Sequence, residues 1–468
     1  MPFNSFDNYP MSWKPKLNNV NVPIYIAIAD QLEKDIRTGL LIPGTKLPPQ
    51  RELADFLDVN LSTISRAFKK CEQKGLICAS VGSGTFVSSD VAVNMILLPE
   101  QGSHQLIELG SIFPDVSSNE EITKYIKKMI AEPDFGRLFQ YGLPGGTVWQ
   151  KESAVKWICK TGYQTQPHKI LLSSGGQNAI ATILAGLFNP GDKIGADPMT
   201  YPGIKTAATM LGIQLVAIQQ KNSEITEESL LYACKSENIK GLYLIPDFHN
   251  PTTHTMSHET RRMIAATAKE KGLIVVEDAI NSCLTEKPLP PIASYAPENV
   301  LYISSLSKTV SPGLRLAFIV TPDAFQKQLN VALYNMNITV SPLMAELAAR
   351  MIHDDVAEKI AQKRRIYTQA QNTIVDRYLD GYSILGEKES NFRWLILPES
   401  FTGQSFELCA YHAGVQVYAA ERFAVGKSKP ERAVRLAVTA PGSTAQLEKA
   451  LKIIRNLLDS NCDSAKFF

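Results

Sequence analysis

Lys308 lies in the stretch Ser304-Ser305-Leu306-Ser307-Lys308-Thr309-Val310-Ser311-Pro312-Gly313-Leu314-Arg315. A lysine among small hydroxyl residues, with an arginine seven positions on, suits a Schiff-base lysine beside a phosphate site. A lone Ser-Leu-Ser-Lys would read as a surface lysine; Arg315 and Ser305 shift that reading, since arginine offers a bidentate fork and serine a donor. Ser173-Ser174-Gly175-Gly176-Gln177-Asn178 follows an apolar run and opens a helical pattern that begins near Ala179. Glycines there let backbone amides approach a phosphate at a helix N-terminus. Asp278 closes the run Leu273-Ile274-Val275-Val276-Glu277, and Arg435 stands in Arg432-Ala433-Val434-Arg435-Leu436. Its fork geometry matches a carboxylate, with Arg432 and Arg393 as competing candidates.

A second set of residues suits nucleic acid. Ser62, Thr63 and Arg66 fall at the start of a helical pattern, where hydroxyls and a helix N-terminus serve phosphates and an arginine serves guanine edges. Residues 20–90 carry eight Lys/Arg and eight Asp/Glu, so this part is not basic overall. Its charges are segregated instead: Asp30, Glu33 and Asp35 on a first helical pattern, and Arg66, Lys69, Lys70 and Lys74 on a third.

The elements that must position these groups follow from periodicity. Residues 1–20 read as a loose polar arm. Ile24, Ile28, Leu32 and Ile36 then recur at helical spacing after Pro23, with Gly39 as a stop. A short helix carries Leu53, Ala54 and Leu57, Asp58-Val59-Asn60 turns the chain, and a helix over 61–74 ends at Gly75. Extended pieces at 76–80 and 85–88 flank Gly82-Ser83-Gly84, a hairpin signal in which glycine permits a close approach to a groove. Residues 89–105 read as a linker. Beyond them apolar runs at 169–172, 241–245, 273–276, 301–304 and 316–320 alternate with amphipathic stretches, which implies an α/β fold with a mostly parallel sheet buried on both faces. A smaller α/β subdomain is expected over about 345–468.

With 468 residues the chain exceeds one core, and a net charge of +2 neither demands nor excludes nucleic acid. Seven scattered cysteines without a CxxC pair argue against zinc and against a disulfide framework, so no metal is expected and a reducing cytoplasm fits. There is no signal-peptide core and no run of about 18 apolar residues, so no membrane span is expected.

The motifs from Leu47-Pro48-Pro49-Gln50-Arg51 through Ser62-Thr63-Ile64-Ser65-Arg66 to Gly82-Ser83-Gly84-Thr85-Phe86-Val87 resemble, in order, the GntR-type winged helix-turn-helix. The resemblance covers residues 20–88 and implies double-stranded DNA as partner, with Arg51, Ser62, Thr63, Arg66, Gly82 and Gly84 as contacts. Leu61 stands where the family often has arginine, so base preference does not carry over.

Residues 106–468 resemble the fold-type I, class I/II aminotransferases, and the whole chain resembles a MocR-type regulator. That resemblance implies pyridoxal 5'-phosphate held as an internal aldimine by Lys308, with Asp278 beneath the pyridine nitrogen. It implies Asn250, in His249-Asn250-Pro251-Thr252-Thr253, on the ring oxygen and Tyr201, in Asp197-Pro198-Met199-Thr200-Tyr201-Pro202-Gly203, stacked on the ring. Gly176, Gln177, Ser305 and Arg315 would hold the phosphate. Tyr141, in Tyr141-Gly142-Leu143-Pro144-Gly145-Gly146, would reach it across a homodimer interface, and Arg435 would clamp the carboxylate of an amino acid or amine effector. One departure bears on catalysis: the tyrosine usual two residues after the aspartate is Ile280 here. The missing hydroxyl favours a sensor over a working aminotransferase with an accessory DNA-binding domain, which stays the alternative.

Overall fold

The computed structural model describes residues 11–17, 22–37, 40–41, 45–74, 76–80, 84–87, 106–426 and 428–460. The linker assigned to 89–105, the helix stops at Gly39 and Gly75, and Gly82 at the hairpin tip lie outside the described residues. The chain divides between Ser103 and His104 into two compact units.

The first unit has helices Ile24–Arg37, Gln50–Leu57 and Leu61–Gln73, followed by the antiparallel pair Ile77–Ser80 and Gly84–Val87. Its core joins Ile28, Leu32, Leu53, Ile64, Phe68, Cys71 and Val87. Ile24 falls outside that core and is 48% exposed. A strict four-residue spacing drifts by roughly 40° per step on a 3.6-residue helix, so the far end of the series leaves the buried face. The polar arm expected over residues 1–20 is corrected where it is described. Trp13 is only 3% exposed, and its indole N–H donates to Asp35 Oδ2 at 2.8 Å. A buried indole needs such an acceptor, and this acceptor accounts for a buried aspartate on the first helix. The charge segregation has a partner too: Lys70 lies 3.8 Å from Asp30, and Lys74 pairs with Glu33. Those two lysines are held by the first helix.

The second unit is built on a seven-stranded sheet in the order Ile170–Ser173, Ala317–Val320, Val300–Ser305, Ile274–Asp278, Gly241–Leu244, Lys193–Ala196, Gln214–Ala217. Ala317–Val320 runs antiparallel to both neighbours; the other pairings are parallel. Both faces are covered, which is why the central strands read as unbroken apolar runs. The helix after the first strand begins at Gly176, earlier than the Ala179 expected from apolar spacing, because Gly175 at φ +95° turns the chain straight into it.

A four-stranded antiparallel sheet, Ile384–Leu385, Phe392–Ile396, Ala433–Ala437 and Tyr418–Ala419, forms the smaller subdomain. Its limits differ from the expected start near 345. Helix Pro342–His353 packs into the core of the large sheet, as do Ala357, Ile360 and Ala361 of helix Val356–Tyr378, whose far end joins the small core through Val375. Ile107 and Leu109 also belong to the small core, where Ile107–Glu108 pairs in parallel with Val415–Gln416. No helix of the described residues is long and apolar enough to cross a membrane.

Candidate functional site

Most of the residues singled out in the second unit gather at the carboxyl ends of the large sheet's strands, where open α/β sheets place their ligands; Arg435 comes from the four-stranded sheet. Asp278 is the last residue of its strand, and Lys308 follows Val300–Ser305 by three positions. Asn250 and Tyr201 lie in the connections after Gly241–Leu244 and Lys193–Ala196, and Gly176 opens the helix after Ile170–Ser173.

Lys308 Nζ donates to the Ile112 carbonyl at 2.7 Å. Burial, reinforced by Arg435 and Arg315, pushes its ammonium down to about 8, toward the free amine a nucleophile needs. Asp278, 4% exposed, is pushed up to about 6 by burial, against the hydroxyl of Tyr243 and the amide of Ile280, which stabilise the carboxylate. Tyr243 donates to Asp278 Oδ2 at 2.6 Å, and the Ile280 amide faces Oδ1 at 3.3 Å. Tyr201 caps helix Pro202–Met210, and its phenol is pushed up to about 12 by burial, then by the charge of Asp278.

Arg435 is 4% exposed. It donates from Nη1 to Asn250 Oδ1 and from Nη2 to the Gly110 carbonyl, each at 2.5 Å. Its Nε has no partner among the described residues. The rings of Phe392, Tyr418 and Phe423 surround the guanidinium at 5.6, 5.4 and 4.9 Å. Desolvation there lowers its pKa to about 10, which leaves it charged at neutral pH. Arg393 and Arg432, its rivals in the sequence, are engaged elsewhere. Arg393 pairs with Asp376 at 2.8 Å and donates to the Leu385 carbonyl, and Arg432 donates to the Glu399 carbonyl.

The strand-to-helix turn forms a cradle. The first amides of helix Gly176–Leu187 have no intrahelical acceptors, so they are donors for an anion at its N-terminus. A Cβ on Gly175 would collide with the Arg315 guanidinium, so glycine is what lets that arginine lie across the turn. Arg315 is exposed and makes one long contact, 3.4 Å from Nη2 to the Ser174 carbonyl. Ser305 is buried beside the turn and accepts from the Ser307 amide at 3.2 Å. Gln177 contributes its backbone there, because its side chain donates to the Gly203 carbonyl at 2.8 Å. Ile280 Cδ1 stands 3.5 Å from the position of a Cβ on Gly176, so an apolar side chain lies beside the turn.

These groups fit a phosphorylated pyridine aldehyde: an anion cradle, a desolvated amine, and a buried carboxylate with one oxygen already fixed by Tyr243. Among the described residues no cluster could hold a metal ion. Tyr141 is 85% exposed and apart from these contacts. Tyr243 was not found by sequence reasoning, since a tyrosine in a buried strand looks like core; its one signal is a phenol that needs a partner.

In the first unit Arg51, Ser62 and Arg66 are exposed, Thr63 is half-buried, and Arg66 stacks 4.3 Å above the Tyr25 ring. Gly84 is exposed at φ +114° beside Lys46.

Comparison with known proteins gives this geometry a lineage. Aminotransferase class I and II matches residues 104–454, and the bacterial regulatory proteins of the gntR family match residues 24–87. The chain is 54% identical over 459 residues to the HTH-type transcriptional regulator YdeF of Bacillus subtilis, covering 98% of this chain and 99% of that one. It is 24% identical to the vitamin B6 salvage pathway transcriptional repressor PtsJ of Salmonella typhimurium, covering 88% and 93%. Among solved structures, an archaeal alanine:glyoxylate aminotransferase superposes with a TM-score of 0.70 at 19% identity over 79% of this chain and 93% of that one. LysN, the α-aminoadipate aminotransferase of Thermus thermophilus, complexed with N-(5'-phosphopyridoxyl)-L-leucine, superposes at 0.68 with 22% identity over 77% and 95%. At those identities the two structures establish the shared fold. The chain thus belongs to the class I and II aminotransferase family and, with a GntR-type domain in front, is a MocR-type HTH transcriptional regulator.

Proposed function

We propose that this regulator binds pyridoxal 5'-phosphate covalently through Lys308, and that an amino acid or amine entering the same pocket changes its affinity for DNA. The observation that carries the reading is the convergence of a desolvated lysine, a buried aspartate and a buried arginine at one end of the sheet. The cofactor, once bound, supplies a carbonyl carbon that condenses with primary amines and a ring that withdraws electrons. Lys308 contributes the free amine. Asp278, steadied by Tyr243, offers a carboxylate to a protonated pyridine nitrogen. Arg435 holds Asn250 Oδ1, which turns the Asn250 amide nitrogen outward as a donor to the ring oxygen. Tyr201 would stack on the ring. Gly176, Gln177, Ser305 and Arg315 would hold the phosphate, and Arg435 would take the effector's carboxylate.

In this reading residues 20–88 form the DNA-binding domain, 89–105 the linker and 106–468 the sensor, in the cytoplasm. The protein works as a homodimer, because a twofold operator needs two readers and Tyr141 is free to reach a second copy's phosphate. Arg51, Ser62, Thr63, Arg66, Gly82 and Gly84 would be the contacts to DNA.

A second reading, an active aminotransferase, is supported by Lys308, Asp278 and Arg435 standing in one pocket. Ile280 weighs against it, since the hydroxyl that would share the ring oxygen is absent. The test is titration of pyridoxal phosphate into the full-length protein and into Lys308→Ala. The wild type is expected to develop absorbance at the visible edge and the variant none. Wild type that stays colourless under excess cofactor would refute the proposal. Steady keto-acid release from an added amino acid would favour the second reading.

A further inference from the structure

Two cations of the pocket, Lys308 and Arg435, are both held by one short stretch of backbone. Lys308 Nζ donates to the Ile112 carbonyl at 2.7 Å, and Arg435 Nη2 donates to the Gly110 carbonyl at 2.5 Å. A third tether follows, from Thr439 Oγ1 to the Phe113 carbonyl at 2.8 Å. The stretch is anchored on its other side by Ile107 and Leu109, whose amides donate to Gly414 and Gln416. Glu108 Oε1 accepts from the amides of Gly110 and Ser111 at 2.6 and 2.7 Å, and Ser111 Oγ lies 2.9 Å from Tyr418 OH. Residues 110–113 are thus a bent strap, fixed at one end to the strand Val415–Gln416 and latched by the pocket's own charges along its length. In sequence the strap begins five residues after the stretch 89–105 that leads back to the DNA-binding domain.

We propose that this strap reports occupancy of the pocket. The inference rests on the cofactor reading above and adds a means of transmission to it. Were Lys308 to condense with the cofactor's carbonyl carbon, its nitrogen would lose two hydrogens, which leave with the carbonyl oxygen as water, and with them the donor that holds Ile112. A carboxylate on Arg435 takes N–H groups in pairs, and Nη2 is one of the donors it needs, so it competes with the Gly110 carbonyl. Each event frees one carbonyl of the same strap. A freed backbone carbonyl seeks water or a new donor, which shifts the strap toward an unlatched arrangement. DNA affinity then changes by the difference in ligand affinity between the two arrangements.

The test is hydrogen–deuterium exchange of the full-length protein, read on peptides covering 106–116, with DNA binding measured on the same samples. Addition of pyridoxal phosphate is expected to speed exchange at 110–113. Thr439→Val, which touches neither pocket cation, removes one tether and is expected to speed it by about fivefold without any ligand. The same variant should move DNA affinity toward that of the cofactor-treated wild type. Arg435→Met gives an independent release at Gly110. Cofactor absorbance that develops with no change in the strap overturns this inference and leaves the cofactor reading standing. A strap loosened by Thr439→Val with DNA affinity unmoved overturns it as well. Absence of any absorbance overturns the cofactor reading and this one with it.

Discussion

In the winged-helix unit the charged groups that would meet DNA stand in water, whereas in the aminotransferase-fold unit Asp278 and Arg435, two of the charged groups that would meet a ligand, are withdrawn from it. Arg51, Ser62 and Arg66 are exposed, and none of them secures the core of Ile28, Leu53 and Phe68. Asp278 and Arg435 are buried, with pKa values displaced by desolvation; Asp278 is bonded to Tyr243 of the neighbouring strand, and Arg435 to Asn250 and Gly110 in connecting segments. The difference teaches where function and stability are separable. An exposed contact can be exchanged at small structural expense, while a buried charge is part of the packing that surrounds it.

Arg435→Met should show the largest combined effect. Carboxylate effectors are expected to bind about 100-fold more weakly, as loss of a charge-assisted fork implies. The unit should also lose about 1–3 kcal/mol, because Asn250 Oδ1 and the Gly110 carbonyl lose their donor. Titration calorimetry and thermal denaturation read the two parts; weaker binding at unchanged stability would break the comparison. Arg66→Ala should weaken DNA binding about tenfold while stability moves by less than about 1 kcal/mol, the Tyr25 ring contact included. Fluorescence anisotropy and a melting curve check it, and a large drop in melting temperature would place Arg66 in the structural class.

The smallest effect concerns pH. Lys308 has its pKa lowered to about 8 by burial, so it is protonated below that value and a free amine above it. Cofactor capture should therefore quicken about fivefold from pH 7 to pH 8 and level off beyond. The same sign governs stability. Between about 8 and the ordinary lysine value the unfolded chain binds more protons, so this group's contribution rises with pH across that window. Stopped-flow absorbance gives the capture profile, and a flat profile from pH 6 to 9 would remove the desolvated lysine from the account.

Much of this was legible beforehand because it rests on side chains with steep chemical preferences. Asp278 ends its strand and Arg435 lies in the final strand, as their apolar runs implied, and the buried strands announced themselves as apolar runs. Three features were hidden for physical reasons. Gly110 and Ile112 act through backbone carbonyls, which every residue carries and no sequence pattern marks. Tyr243 is indistinguishable from a core tyrosine until the sheet places it beside Asp278. Trp13 sits in a polar stretch too short for periodicity, and its burial depends on Asp35 one helix away. The subdomain limit was misplaced because helix Val356–Tyr378 serves both cores, so its pattern changes partner without changing period.

The measurement closest to the central claim is a titration of amino acids and amines into the cofactor-treated full-length protein, following visible absorbance and binding to DNA upstream of its own gene together. The account predicts that at least one amine alters both signals with the same midpoint, and that Lys308→Ala abolishes both responses. DNA binding that stays constant while the absorbance changes, or that responds equally in Lys308→Ala, would contradict it.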